Sequence, residues 1–202
     1  MTKTAKLFWR YGSMGAGKSM ALLSVAHNYE RINLTTKIYT AALDNRFGTA
    51  IVASRMGISR PAETFTADTV FDIQSVGSKV ACVLVDESQF LSSAQVRQLH
   101  QIAAVHGVPV ICYGLRTDFK GEAFAGSAAL GVLADQIEEL KSICDCGRKA
   151  SFNMRIDSNG QRLRDGAQIE IGGDASYRQC CAVCFYTEDV VRTTDQESAL
   201  CP

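Results

Sequence analysis

Residues 12–19, Gly12-Ser13-Met14-Gly15-Ala16-Gly17-Lys18-Ser19, fit the pattern G-x-x-x-x-G-K-[ST] at every specified position. Phosphate oxygens have to be approached closely by backbone N–H groups, so glycines supply the turns and leave the space. A helix that starts at Lys18 would direct its positive end at the same anion. Lys18 would reach the β- and γ-phosphates of a nucleotide, and the Ser19 hydroxyl would bind Mg²⁺. Further on, Val83-Leu84-Val85-Asp86-Glu87 sets two carboxylates behind an apolar run. In phosphate-loop enzymes an acid at this point holds the Mg²⁺ shell, the role expected of Asp86. Glu87 is then free to act on a nucleophile, by orienting water in an ATPase or accepting a hydroxyl proton in a kinase.

Cysteine supplies a third constellation. Cys144-Asp145-Cys146 and Cys181-Ala182-Val183-Cys184 are two close pairs, and four thiolates satisfy tetrahedral Zn²⁺ with no open position, as in a structural site. Cys180 competes with Cys181, although only Cys181 gives the C-x-x-C spacing. Cys82 and Cys112 stand alone in apolar runs and read as small core residues. Cys201 is incidental. His27, His100 and His106 have no acid or cysteine motif around them and read as ordinary helix residues.

These residues need a scaffold, and the apolar pattern describes one. Residues 5–11 read as a strand, 18–32 as a helix with Leu22, Val25, Ala26, Tyr29 and Ile32 on one face, and 37–43 as a second strand. Residues 44–62 read as an irregular mobile loop, and 71–76 as a short helix. Residues 81–85 form a continuous apolar run of the buried-strand type. Ser92 and Gln95 form a capping box ahead of a helix whose Val96, Leu99, Ile102 and Ala103 share a face. Residues 109–114 are another buried strand. Strands alternating with helices imply an α/β fold with a largely parallel sheet. The expected division is a phosphate-binding domain over 1–140, a small β-rich metal domain over 141–191 and a disordered tail over 192–202.

The chain has 202 residues, enough for one α/β domain with an appendage, and 21 basic residues balance 21 acidic ones. That neutrality favours a small-molecule substrate over nucleic acid. There is no membrane-length apolar stretch and no signal-peptide pattern, so a cytoplasmic location and a zinc site rather than disulfides are expected.

Four segments, in this order and spacing, resemble the type II thymidine kinases over about residues 5–190: GSMGAGKS (12–19), DESQFL (86–91), YGLRTDF (113–119) and IGGDASY (171–177). The resemblance implies ATP and Mg²⁺, thymidine or deoxyuridine as acceptor, dTTP as feedback inhibitor, and a homotetramer. It assigns catalysis to Glu87 and nucleotide contacts to residues 12–19, Asp44, Asn45, Arg46, Asp86, Glu87, Ser88 and Gln89. It assigns the nucleoside to Met14, Phe90, Phe119, Gln168, Ile169, Glu170, Ile171, Gly172 and Tyr177. Part of that set lies on a lasso loop tied down by zinc at Cys144, Cys146, Cys181 and Cys184. The first pair departs from the common C-x-x-C spacing, as it does in a bacterial branch of the family. On this division, losing the metal should disturb the nucleoside site and leave ATP binding intact. An ATP-driven motor would share the phosphate loop, but the neutral charge and the cysteine-tethered glycine loop argue against it. A zinc-ribbon binding module is disfavoured because 141–187 is not strongly basic.

Overall fold

The computed structural model describes residues 4–44, 46, 48–77, 79–169 and 176–187. The chain runs β1 (Leu7–Tyr11), α1 (Lys18–Glu30), β2 (Thr35–Ala41), β3 (Ile51–Ala53), β4 (Ser59–Pro61), β5 (Glu63–Phe65), α2 (Ile73–Val76) and β6 (Val80–Val85). After a single 3₁₀ turn at Ser88–Phe90 come α3 (Ser93–His106), β7 (Val110–Gly114), α4 (Ala125–Leu133) and β8 (Gln136–Glu139). The remainder is β9 (Ser142–Ile143), β10 (Lys149–Ala150), β11 (Phe152–Ile156), β12 (Arg162–Leu163), β13 (Tyr177–Cys180) and α5 (Ala182–Thr187).

Six strands form one sheet in the order β5-β2-β6-β7-β1-β8, and each neighbouring pair is parallel. Helices cover both faces, so a central strand has to be apolar on both sides. The β6 sequence Val-Ala-Cys-Val-Leu-Val meets that demand. Cys82 and Leu84 pack with Leu22, Leu23 and Ala26 of α1. Val83 and Val85 turn the other way, toward Val96, Leu99 and Ile102 of α3 and Leu130 of α4. Cys82 and Cys112 are both fully buried core residues, and the histidines lie on α1 and α3.

The capping box of α3 is present in both directions between Ser92 and Gln95, and Gly107 ends the helix at φ 68°. Residues 44–62 depart from the expected irregular loop: β3 and β4 pair there as an antiparallel hairpin. β5 follows and adds a parallel edge strand beside β2. In the last third, β9 pairs with β10, and β11 lies between β12 and β13, all antiparallel. A separate small core gathers Met154, Ile156, Phe185 and the cysteines. Among the described residues no helix is long and apolar enough to cross a membrane. The expected tail over 192–202 lies outside the described residues.

Candidate active site and metal centre

A parallel sheet delivers every strand's carboxyl end to one edge, and ligands bind outside that edge. Here β1 opens into the loop 12–19, β6 ends at Asp86 and Glu87, and β7 leads into Leu115–Phe119. Gly15 and Gly17 take φ of 81° and 77°, the left-handed conformation this tight loop requires. Lys18 Nζ lies across the loop and donates to the carbonyls of Gly12 at 3.1 Å and Ser13 at 2.8 Å. Burial lowers its pKa, and nearby Arg46 and Arg55 push the same way against Glu87 and Asp86. A phosphate anion would relieve both penalties.

Ser19 Oγ donates to Asp86 Oδ2 at 2.9 Å. The hydroxyl and the carboxylate expected to hold Mg²⁺ are thus already side by side, and the donor set is the all-oxygen kind that this ion takes. Asp86 is buried; burial, then the Glu87 charge beside it, pushes its carboxyl up to about 7.

Glu87 adopts a left-handed conformation at φ 52°, a strain of roughly 1–3 kcal/mol for a residue with a Cβ. Its carboxylate is fixed from two sides. Arg46 donates to Oε1 at 2.5 Å and Gln89 Nε2 donates to Oε2 at 2.5 Å. Gln89 has no freedom to do otherwise, since its Oε1 accepts from the Leu115 N–H at 3.0 Å. Arg46 is in turn held by both Asp44 oxygens at 2.7 Å. The Asp44 hydrogen bonds lead the causes that hold the guanidinium above its ordinary pKa.

One cleft of about 270 Å³ joins these groups to an aromatic wall. Its lining takes in Lys18, Ser19 and Glu87 together with Phe90, Phe119, Phe124 and Tyr177. Phe90 meets Phe124 edge to face at 5.8 Å. The Arg155 guanidinium lies over the Phe119 ring at 5.3 Å. Asp118 is buried; its Oδ1 ties down the Lys120 and Glu122 amides and its Oδ2 accepts from Gln168 at 3.0 Å.

The sulfurs of Cys144, Cys146, Cys181 and Cys184 all lie within 4.8 Å of one another. Cys146 Sγ is 3.5 Å from Cys144 Sγ and 3.6 Å from Cys181 Sγ. A tetrahedron of Zn–S bonds of about 2.3 Å sets its sulfurs roughly 3.8 Å apart, so the four thiols fit a closed zinc site. Cys180 is fully buried and is not in the cluster, which resolves its competition with Cys181.

A family model described as thymidine kinase matches residues 5–185. The chain belongs to the thymidine kinase family. It is 50% identical over 182 residues to a thymidine kinase of Chromobacterium violaceum, covering 90% of this chain and 98% of the relative. It is 48% identical over 195 residues to one of Albidiferax ferrireducens, covering 96% and 99%. A Haemophilus influenzae thymidine kinase is 50% identical over 181 residues, covering 88% and 94%.

Of the residues expected from the family pattern, Met14, Gly15, Gly17, Lys18, Ser19, Asp44, Arg46, Glu87, Gln89, Phe90, Phe119, Gln168, Ile169 and Tyr177 line the cleft. Gly12, Ser13, Ala16, Asp86 and Ser88 do not line it, and Ser88 is fully buried against Gly114. Asn45, Glu170, Ile171 and Gly172 lie outside the described residues. Sequence reasoning passed over Arg55 and Met56 on the β3–β4 hairpin and Leu115, Asp118, Phe124 and Asn153, all of which line the cleft. Asp118 stood within the YGLRTDF segment and could have been found there; Asn153 carries no motif.

Proposed function

We propose that this thymidine kinase family member transfers the γ-phosphoryl group of ATP to the 5′-hydroxyl of thymidine. The observation that carries the reading is that Glu87, its carboxylate held by Arg46 and Gln89, lines one cleft with Lys18 and Ser19 of the phosphate loop and with Phe90, Phe119 and Tyr177. Residues 12–19 hold the triphosphate; Ser19 and Asp86 would hold Mg²⁺, which would supply charge neutralisation to the phosphates. Glu87 accepts the 5′-hydroxyl proton as that oxygen bonds to the γ-phosphorus, and the bond to the β,γ-bridging oxygen breaks, releasing ADP. Met14, Phe90, Phe119, Gln168, Ile169 and Tyr177, with Glu170, Ile171 and Gly172, receive the nucleoside. Residues 1–140 and 141–191 act as nucleotide and zinc-held nucleoside domains. Asn45 and Ser88 complete the nucleotide contacts that the family pattern assigns.

Deoxyuridine is a second acceptor, the product feeds nucleotide salvage, dTTP is a feedback inhibitor, and the enzyme works as a cytoplasmic homotetramer. The family pattern supports these points. An assay of the common deoxynucleosides with ATP tests the acceptor. A purine is too large for a slot closed by Phe119 and Tyr177. Cytosine presents an acceptor where thymine donates, and a buried polar group left unpaired costs about 1–3 kcal/mol, or roughly 5–150-fold in kcat/KM. Thymidine should lead by that margin and dTTP should inhibit. Efficient phosphorylation of deoxycytidine or deoxyadenosine, with indifference to dTTP, would place the chemistry on another nucleoside.

A further inference from the structure

The strands that lead into the zinc thiols, β9 and β13, and β11 beside β13 also touch the phosphate loop. Met14 N donates to Asn153 Oδ1 at 2.8 Å, and Asn153 is buried. Ser13 Oγ lies 2.5 Å from Ser142 Oγ and 3.5 Å from Gln179 Oε1. A Cβ on Gly15 would stand 3.0 Å from the same Gln179 oxygen, so this amide lies directly against the loop. Its orientation is set from behind, because Gln179 Nε2 donates to the Ile143 carbonyl at 3.0 Å.

The placement of these residues is regular. Asn153 on β11 and Gln179 on β13 are direct cross-strand partners. Ser142 stands two residues before Cys144, and Gln179 two residues before Cys181, a spacing that shares one face of an extended chain. The two segments that enter the thiol cluster therefore each bring a polar side chain to the loop, with Asn153 beside them.

We propose that Asn153, Ser142 and Gln179 are positioning residues for the nucleotide, holding the loop 12–19 in its phosphate-binding shape from the zinc-bearing side. This rests on the reading of that loop as the ATP site. A glycine-rich loop loses more backbone freedom on ordering than other segments, so an unsupported loop binds its anion more weakly than one already shaped. The Met14 amide is committed to Asn153 and the Ala16 amide to the Ser13 carbonyl at 3.2 Å, so the first half of the loop is held in shape before any anion arrives. The cysteine-bearing part thus supports ATP binding as well as the nucleoside site, and the expectation that metal loss spares the nucleotide is reversed.

The test is calorimetric ATP binding, without thymidine, to the full-length zinc-loaded protein and its variants. Asn153→Ala should weaken ATP about tenfold and Ser142→Ala about threefold. Zinc content should stay near one per chain in both variants, and KM for thymidine should stay within about twofold in Ser142→Ala, whose residue is not part of the cleft lining. Chelating zinc from the wild-type protein should weaken ATP by at least as much as Asn153→Ala. Wild-type ATP affinity in both variants would overturn the support, as would an equal loss of thymidine binding and of zinc. Should Asn153→Ala fail to fold, Ser142→Ala decides, since it removes only a hydroxyl. Wild-type protein that binds no ATP, or binds it equally after Lys18→Met, would instead overturn the assignment of the loop itself.

Discussion

At the scale of single residues, the proposed base at position 87 stands in a conformation that a residue with a side chain ordinarily avoids. Its φ of 52° is maintained because Arg46 and Gln89 hold both carboxylate oxygens. Asp86 beside it is committed to Ser19. Glu87→Gln keeps the shape and removes the base, so kcat should fall about 10²–10⁴-fold while ATP affinity changes little. Steady-state kinetics paired with calorimetry checks this, and near-normal turnover would remove Glu87 from the proton transfer. Gln89→Met should also lower kcat, but not when Glu87 is already Gln. A double-mutant cycle on kcat reads that dependence, and additive losses would show Gln89 acting elsewhere.

At the scale of elements, the turn behind Glu87 is held by a helix that the sequence concealed. A Cβ on Gly126 of α4 would lie 2.5 Å from the Ser88 carbonyl oxygen and 2.8 Å from those of Gln89 and Leu91. All three are backbone atoms, so Gly126→Ala has to push the turn or the helix, at a cost of about 1–3 kcal/mol. Gly131 is on the same helix, and there the nearest atom to a new Cβ is a Trp9 ring carbon at 3.7 Å. Gly131→Ala should be neutral or stabilising by up to about 1 kcal/mol. Thermal unfolding of the two variants checks the contrast, and kcat should fall only for Gly126→Ala. The segment Ala-Gly-Ser-Ala-Ala-Leu-Gly-Val-Leu hid this helix because its glycines and small residues show no clear apolar face. β8 escaped notice because Gln136–Glu139 is a polar edge strand with no alternation. The α3 capping box and the β6 apolar run were legible because each is a local rule obeyed within a few residues. The same distinction divides the site. The phosphate loop, the acidic pair and the cysteine pairs are contiguous motifs, whereas Asn153, Phe124 and Gln179 reach it only by folding and carry no local mark.

At the scale of the whole molecule, the buried carboxylate of Asp86 ties stability to pH. Burial and the neighbouring Glu87 charge raise it to about 7, whereas an aspartate in an unfolded chain titrates near about 3.9. The folded protein therefore binds more protons over that interval, and this group's contribution makes stability fall as pH rises from about 4 to about 7. In protein dialysed free of Mg²⁺ and nucleotide, Asp86→Asn should raise Tm at pH near 8, by about 2–4 °C for each kcal/mol recovered. The gain should shrink toward pH near 5, where the native carboxyl is already protonated. The amide can still accept from the Glu87 N–H, as the carboxylate does now. Scanning calorimetry at the two pH values checks the sign; a variant less stable than wild type at pH near 8 would refute it. Kinase activity should be lost in the same variant.

The position of β1 has a consequence in time. Leu7–Tyr11 lies between β7 and β8 in the sheet, with Leu7 beside Val110 and Phe8 beside Gln136. β1 thus has no sheet neighbour until residues 110–139 have followed it from the ribosome. At a synthesis rate of about 5–20 residues per second, a nascent β1 waits several seconds or more for its neighbours. Pairings so distant along the chain also close slowly during refolding. The loop 12–19 springs from the end of that strand, so nucleotide can stabilise the protein only once these late pairings have formed, and a growing chain gains nothing from ATP until then.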